Sequence, residues 1–361
     1  MSKTALFCAS GSAPLFITQQ YEGGNTKYNI FRNQDRLKGG NVTVEGKVSD
    51  YIANCNDNTL NNHLARTVVP FDIESQKPKS TLQAPETARL LNSSRNNVLQ
   101  MWTGDSQRTS LSAIDPQSRK KAYEFPFTGT IIWTHPDEHG ACQDVIVDVA
   151  RQDIFPVLPD VFVVRASTEK SGSLLALMQV VTDVHRTEPW IQVGLALSIS
   201  STARITGLTY ALPYNVFVLL DQKTIRKYNF KTGTYDDMPR VDTGGRRITH
   251  IANYHHYPLG CLLVAVVGST ATSPSDVIVY IPTKDGKYRI DIIGEQIHRL
   301  ISADDYSMYK DSHAMDVCDV ASGVDRDERH SDWFTVVRFV AVNRKEGTVC
   351  YPAFEMRMED L

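Results

Sequence analysis

Long apolar runs, paired cysteines and an excess of charge of either sign are all missing from this sequence. Its most apolar stretch, Cys261 to Val267, stops at Gly268-Ser269, far short of the roughly 18 residues that a bilayer-spanning helix needs. The N-terminal segment has one lysine and then an apolar stretch too short for the core of a signal peptide, so an intracellular, cytoplasmic protein is expected. The cysteines, Cys8, Cys55, Cys142, Cys261, Cys318 and Cys350, lie far apart without a C-x-x-C pair, which fits reduced core thiols better than a disulfide framework. With 38 Lys+Arg against 41 Asp+Glu the net charge is -3, and no global field draws in nucleic acid or an anionic membrane. A local basic patch stays open.

Linear catalytic motifs are missing as well. There is no Gly-x-Ser-x-Gly elbow, no Gly-x-Gly-x-x-Gly loop and no Walker loop. No catalytic residue, cofactor or metal is expected, and an enzyme is the weaker reading, open only to groups brought together from distant parts of the chain.

What is present is a globular composition, 42% hydrophobic and 22% charged, which argues against global disorder. Arg204-Ile205-Thr206 and Arg247-Ile248-Thr249 recur at a spacing of 43 residues, and each opens a similar module. The first continues through Asn215 to Leu220, Thr224 to Phe230 and a Lys231-Thr232-Gly233 turn; the second through Cys261 to Val267, Asp276 to Ile281 and a Lys284-Asp285-Gly286 turn. Each reads as a four-stranded meander whose second strand is apolar on both faces. Such a strand needs cover on both sides, which similar sheets stacked around an axis supply.

In this respect the chain resembles the β-propeller superfamily, in the loose sense shared by WD40-like and kelch-like proteins, most specifically from Arg204 to Ile290. The resemblance implies an all-β propeller of six or seven four-stranded blades spanning 1-361, with seven preferred. It also implies that Ala5 to Cys8 supplies a strand that closes the last blade. No Gly-His/Trp-Asp pairing recurs, and Asp332-Trp333 is single and inverted. A β-sandwich with several insertions, or a β domain joined to a separate N-terminal domain, is the alternative.

Residues 38-125, rich in Asn, Ser, Thr and Gln, look least regular and are expected to hold long loops, with a short helix from Pro85 to Leu91. A second short helix is expected from Glu295 to Ile301. The stretch from Ser302 to Trp333 carries nine carboxylates with His313 and His330 and reads as an acidic insertion. His135-Pro136-Asp137-Glu138-His139 has metal-ligand residue types, but Pro136 and Gly140 between strand patterns make it a hairpin tip.

The function expected from this is a non-enzymatic protein-interaction scaffold within a larger assembly, with other proteins as partners. The residues singled out for partner binding are Arg246, Arg247, His255, His256, Asp325, Asp327 and Glu328. Further basic residues gather at Arg119-Lys120-Lys121 and at Lys223, Arg226, Lys227 and Lys231. Two alternatives are a structural shell or protrusion component of a viral or other large particle, and a carbohydrate-binding or carbohydrate-active propeller using Trp102, Trp133 and Trp190.

Overall fold

The structure, a computed structural model, describes residues 3-8, 15-32, 35-54, 58-91, 99-104, 109-115, 118-126, 130-134, 141-148, 153-158, 160-168, 172-181, 190-193, 196-200, 202-211, 214-256, 260-273, 275-292, 315-326, 333-343, 349-350 and 353-356. These residues form antiparallel strands in seven sheets, six of four strands and one of seven. The fold class is the all-β propeller.

The first sheet joins Lys3–Cys8, Leu15–Glu22, Asn25–Arg32 and Asp35–Glu45, and the second Asp50–Asn54, Thr59–Leu64, Thr67–Asp72 and Leu82–Gln83. The third runs from Arg89–Leu91 through Leu99–Gly104 and Thr109–Ile114 to Lys121–Pro126. In the fourth, Ile154–Leu158, Val161–Thr168, Gly172–Val181 and the pair Trp190–Val193 and Leu197–Ser198 make four rows. The hairpin Thr130–Thr134/Ala141–Asp148 joins this sheet through only Ile146 and Asp148. The fifth sheet holds Ile205–Ala211, Asn215–Leu220, Thr224–Asn229 and Thr234–Asp237, and the sixth Ile248–His256, Gly260–Val267, Asp276–Pro282 and Tyr288–Ile292. The seventh consists of Met315–Arg326 and Trp333–Asn343, with Val349–Cys350 and Ala353–Met356 both on the outer side of Trp333–Asn343.

Contacts divide the chain into two units, one of Met1–Glu45, Arg204–Lys227 and Asp237–Leu361, the other of Gly46–Ala203 and Tyr228–Asp236. In the first unit, the opening strand of the sixth sheet packs beside those of the fifth and seventh, and the opening strand of the seventh beside Lys3–Cys8. In the second, Arg89–Leu91 lies between Asp50–Asn54 and Ile154–Leu158.

The sixth sheet shows why its second strand is apolar throughout. Leu263, Ala265 and Val267 enter one buried cluster with Phe217 and Leu219 of the fifth sheet. Leu262, Val264 and Val266 enter another with Val320 and Phe339 of the seventh. Alternation sends successive side chains to opposite faces, and here both faces are covered by a neighbouring sheet. Fully burying each Leu, Val or Phe among them contributes about 1.5–3 kcal/mol relative to exposure. Gly207 sits where the fifth and sixth sheets approach closely, since a Cβ there would lie 3.3 Å from Ile251 Cγ1.

Four expectations are corrected. Residues 38-125 are not mainly loops, because they contain the second and third sheets. Their polar composition misleads because Asn61, Asn62 and His63 are buried on the central strand Thr59–Leu64, where Asn62 Nδ2 donates to the carbonyls of Leu60 and Val69 at 3.1 and 3.2 Å. The helix from Pro85 to Leu91 is absent. Ala88 N donates to Pro85 O at 3.0 Å in a turn that feeds Arg89–Leu91, and Leu90 and Leu91 go to separate cores on the two faces of that strand. The expected closing strand does not join the last sheet, since Lys3–Cys8 pairs with Leu15–Glu22 of its own sheet, the partner a short connection away. The acidic stretch is not wholly an insertion either, as Met315–Arg326 pairs along its length with Trp333–Asn343. Residues 295-301 lie outside the described residues.

Candidate partner-binding surfaces

The opening strand of the sixth sheet separates the residues proposed for binding. Arg246 and Arg247 precede it, while His255 and His256 end it. At about 3.3 Å per residue the two groups stand roughly 30 Å apart. They stand at opposite ends of that strand, which mark the first and second edge of the strand layer.

At the first edge the glycine turn Asp242 to Arg246 is closed by Gly244 N donating to Asp242 Oδ1 at 2.9 Å and by Thr243 Oγ1 donating to Arg246 O at 2.7 Å. Gly244 and Gly245 have φ of 61° and 78° with open space around them, a backbone that glycine adopts at little cost. The Arg246 side chain is only 20% exposed. It is ion-paired with Asp276, and its Nε donates to Thr243 O at 3.1 Å. Arg246 is thus spent on structure. Arg247 is exposed, and its Nη1 donates to Gln222 Oε1 at 3.3 Å. Of the other basic residues, Arg226 pairs with Asp237 at 2.7 Å and Lys121 pairs with Glu124. Lys227 Nζ lies 3.2 Å from Tyr288 Oη.

At the second edge His255 and His256 pair with Cys261 and Gly260 across the turn into the next strand. The opening strands of the fifth and sixth sheets run in the same sense, as Gly207 faces Ile251 and Thr209 Oγ1 donates to Asn253 Oδ1. This parallel register brings Tyr210 and Ala211 alongside the end of Ile248–His256. Tyr214, across the turn from Ala211, is 45% exposed. Burial, and then the neighbouring Tyr214, push the Tyr210 hydroxyl above its usual range. Asp325 is the penultimate residue of Met315–Arg326, opposite Phe334. Its strand packs beside the opening strand of the sixth sheet. Asp327 and Glu328 lie outside the described residues, as do 135-140, although the flanking strands pair with Thr134 opposite Ala141.

The pair Tyr210 and Tyr214 escaped the sequence reading. Their signal is the short Tyr-Ala-Leu-Pro-Tyr link between two apolar strands, an aromatic at each foot of a hairpin. Trp102, by contrast, cannot serve a sugar site as it stands. It is 1% exposed and packs edge-on to Phe162 with centroids 5.7 Å apart.

Among the described residues no group of three His, Cys, Asp or Glu side chains is placed to hold a metal ion, and no helix is long and apolar enough to cross a membrane. No family model and no curated protein matches the chain. Among solved structures it is similar to a chain of the "Crystal Structure of Mitotic Checkpoint Complex", with a TM-score of 0.47 and 10% identity over 94% of this chain and 87% of that one.

Proposed function

We propose that the protein is a non-enzymatic interaction scaffold that binds another protein through the second edge. The observation that supports this most is the parallel register of Ile205–Ala211 and Ile248–His256, which gathers Tyr210, Tyr214, His255 and His256 at the ends of adjacent strands on a rigid sheet framework. Tyrosine gives large contact area at small entropic cost and is enriched in interface cores. Turns held on packed sheets vary without disturbing the core, which suits them to recognition. Asp325, on the opening strand that packs beside Ile248–His256, is taken as the acidic member of this surface.

The test is affinity purification from the native lysate with the wild-type chain and with Tyr214→Ala combined with Asp325→Arg. A protein retained by the wild type at near-equal amounts and lost from the variant, with unchanged thermal stability, supports the reading. Equal recovery with both chains assigns binding elsewhere, and no stoichiometric protein with either speaks against a scaffold.

A further inference from the structure

The first edge carries a cluster of cations around a single hairpin turn. Lys223 N donates to Leu220 O at 3.0 Å, closing a two-residue turn in which Asp221 and Gln222 have φ of 51° and 58°. Both are left-handed without being glycine, a conformation that persists only when surrounding bonds fix it. Here Asp221 Oδ1 accepts from Arg204 N at 2.9 Å and Gln222 N donates to Thr206 Oγ1 at 3.2 Å. Gln222 O accepts from Ile248 N at 2.8 Å, and Gln222 Oε1 from Arg247 Nη1.

Those bonds draw the opening residues of two successive sheets to one turn, so Arg204, Lys223 and Arg247, all exposed, surround it. The one carboxylate within the turn, Asp221, is engaged by the Arg204 backbone. Asp242 accepts from Gly244 N, and Asp276 is already paired with Arg246. Asp221 and Asp242 keep their charge, so with Arg246 counted four cations stand against three carboxylates, a small local positive excess on a chain whose net charge is -3. The hairpin fixes the backbone from which these cations project, and the Arg247 head is further held by Gln222.

We propose that this turn is a docking point for an acidic peptide segment of a partner protein, whose carboxylates pair with Arg204 and Arg247 and lie near Lys223. Guanidinium groups bind carboxylates in a planar, two-pronged geometry. A peptide with a few clustered carboxylates matches an isolated three-cation patch. A nucleic-acid strand would need a continued track of cations, which three residues around one turn do not make. This surface deepens the scaffold reading but is separate from the tyrosine edge.

The experiment measures fluorescence anisotropy of a fluorescein-labelled oligo-glutamate peptide with the full chain at low and high salt. Oligo-glutamine and oligo-thymidylate serve as comparison probes. Oligo-glutamate is expected to bind in a salt-sensitive manner and oligo-glutamine not to bind. Arg204→Glu with Lys223→Glu should weaken binding about tenfold or more, while Lys231→Glu with Lys284→Glu, an equal change in charge elsewhere, should leave it within about twofold. A melting curve matching wild type shows that the reversed variant is folded; if it melts lower, Arg204→Gln with Lys223→Gln replaces it and should still weaken binding. Absence of oligo-glutamate binding, equal loss in the control variant, or oligo-thymidylate binding more tightly through the same residues would overturn the proposal. The tyrosine-edge pull-down is unaffected by any of these outcomes.

Discussion

Thr206 and Thr249 hold the same post in successive sheets. Each is the extra residue of a bulge in its opening strand, between Ile205 and Gly207 and between Ile248 and His250. Each hydroxyl donates to a carbonyl of the second strand, Leu219 O at 3.2 Å and Val266 O at 3.3 Å. The preceding arginine carbonyls match as well, with Arg204 O accepting from Asp221 N at 2.9 Å and Arg247 O from Gly268 N at 2.8 Å. The recurring Arg-Ile-Thr is thus a device that bends the entry of each sheet.

The near-isosteric Thr249→Val removes one hydrogen bond and should lower stability by about 1 kcal/mol. Thr206→Val should cost more, because its hydroxyl also accepts from Gln222 N at 3.2 Å. Chemical denaturation of the two single variants checks the order. Equal values would show that the turn bond contributes nothing.

The glycine-free turn at Asp221-Gln222 separates backbone strain from bonding. Asp221→Ala loses the bond to Arg204 N and keeps an unfavourable φ, so it should destabilise by about 1–2 kcal/mol. Gln222→Gly relieves φ while losing only a surface bond to Arg247, so its stability should stay within about 1 kcal/mol of wild type. Thermal unfolding of both variants reads the difference. A more damaging Gln222→Gly would place the Arg247 bond above strain.

In the second sheet, Asp50 accepts from Arg89 Nη1 at 2.9 Å, Leu90 N at 2.8 Å and Tyr51 N at 3.1 Å. Its carboxylate joins the opening strands of the second and third sheets. Asp50→Ala leaves Leu90 N without its acceptor and the guanidinium without its charge partner, with an expected loss of about 2–4 kcal/mol. Arg89→Met should cost less, because the carboxylate keeps two backbone donors. Urea unfolding of both variants tests this.

Stability should also fall toward both ends of the pH scale. Burial holds the His250 imidazole below its ordinary value of 6.5. The unfolded chain therefore binds this proton more readily, so stability is full above about 6.5 and declines as pH drops toward the lowered folded value. Burial pushes the Tyr280 hydroxyl up to about 12 from 10.0, and its contribution is lost as pH rises through that interval. His250→Gln should flatten the acid slope and Tyr280→Phe the alkaline one, in melting temperatures taken across pH.

The sequence disclosed the architecture where two modules stand side by side. Arg204 to Ile290 was readable because Val216 to Leu220 and Leu262 to Val267 are apolar on both faces, a pattern that only flanking sheets satisfy. The second and third sheets were obscured for the opposite reason. Asn61, Asn62 and His63 put polar groups on a buried strand, and the hairpin after Leu64 turns on Ala65 at φ 48° instead of glycine. At Leu90 and Leu91, burial on both faces of a short strand imitated a helix. The candidate surfaces were legible only as residue types, because which end of a strand a residue occupies depends on the pairing. Register alone showed that Arg247 and His256 belong to different edges and that Tyr210 and Tyr214 join the histidines.

The most direct measurement of the scaffold account is quantitative mass spectrometry of proteins retained from the native lysate by the wild-type chain and by Tyr214→Ala with Asp325→Arg, both shown to melt alike. At least one protein should be held near one-to-one by the wild type and be depleted about tenfold with the variant. A wild-type chain recovered alone, or a partner held equally by both, would contradict it.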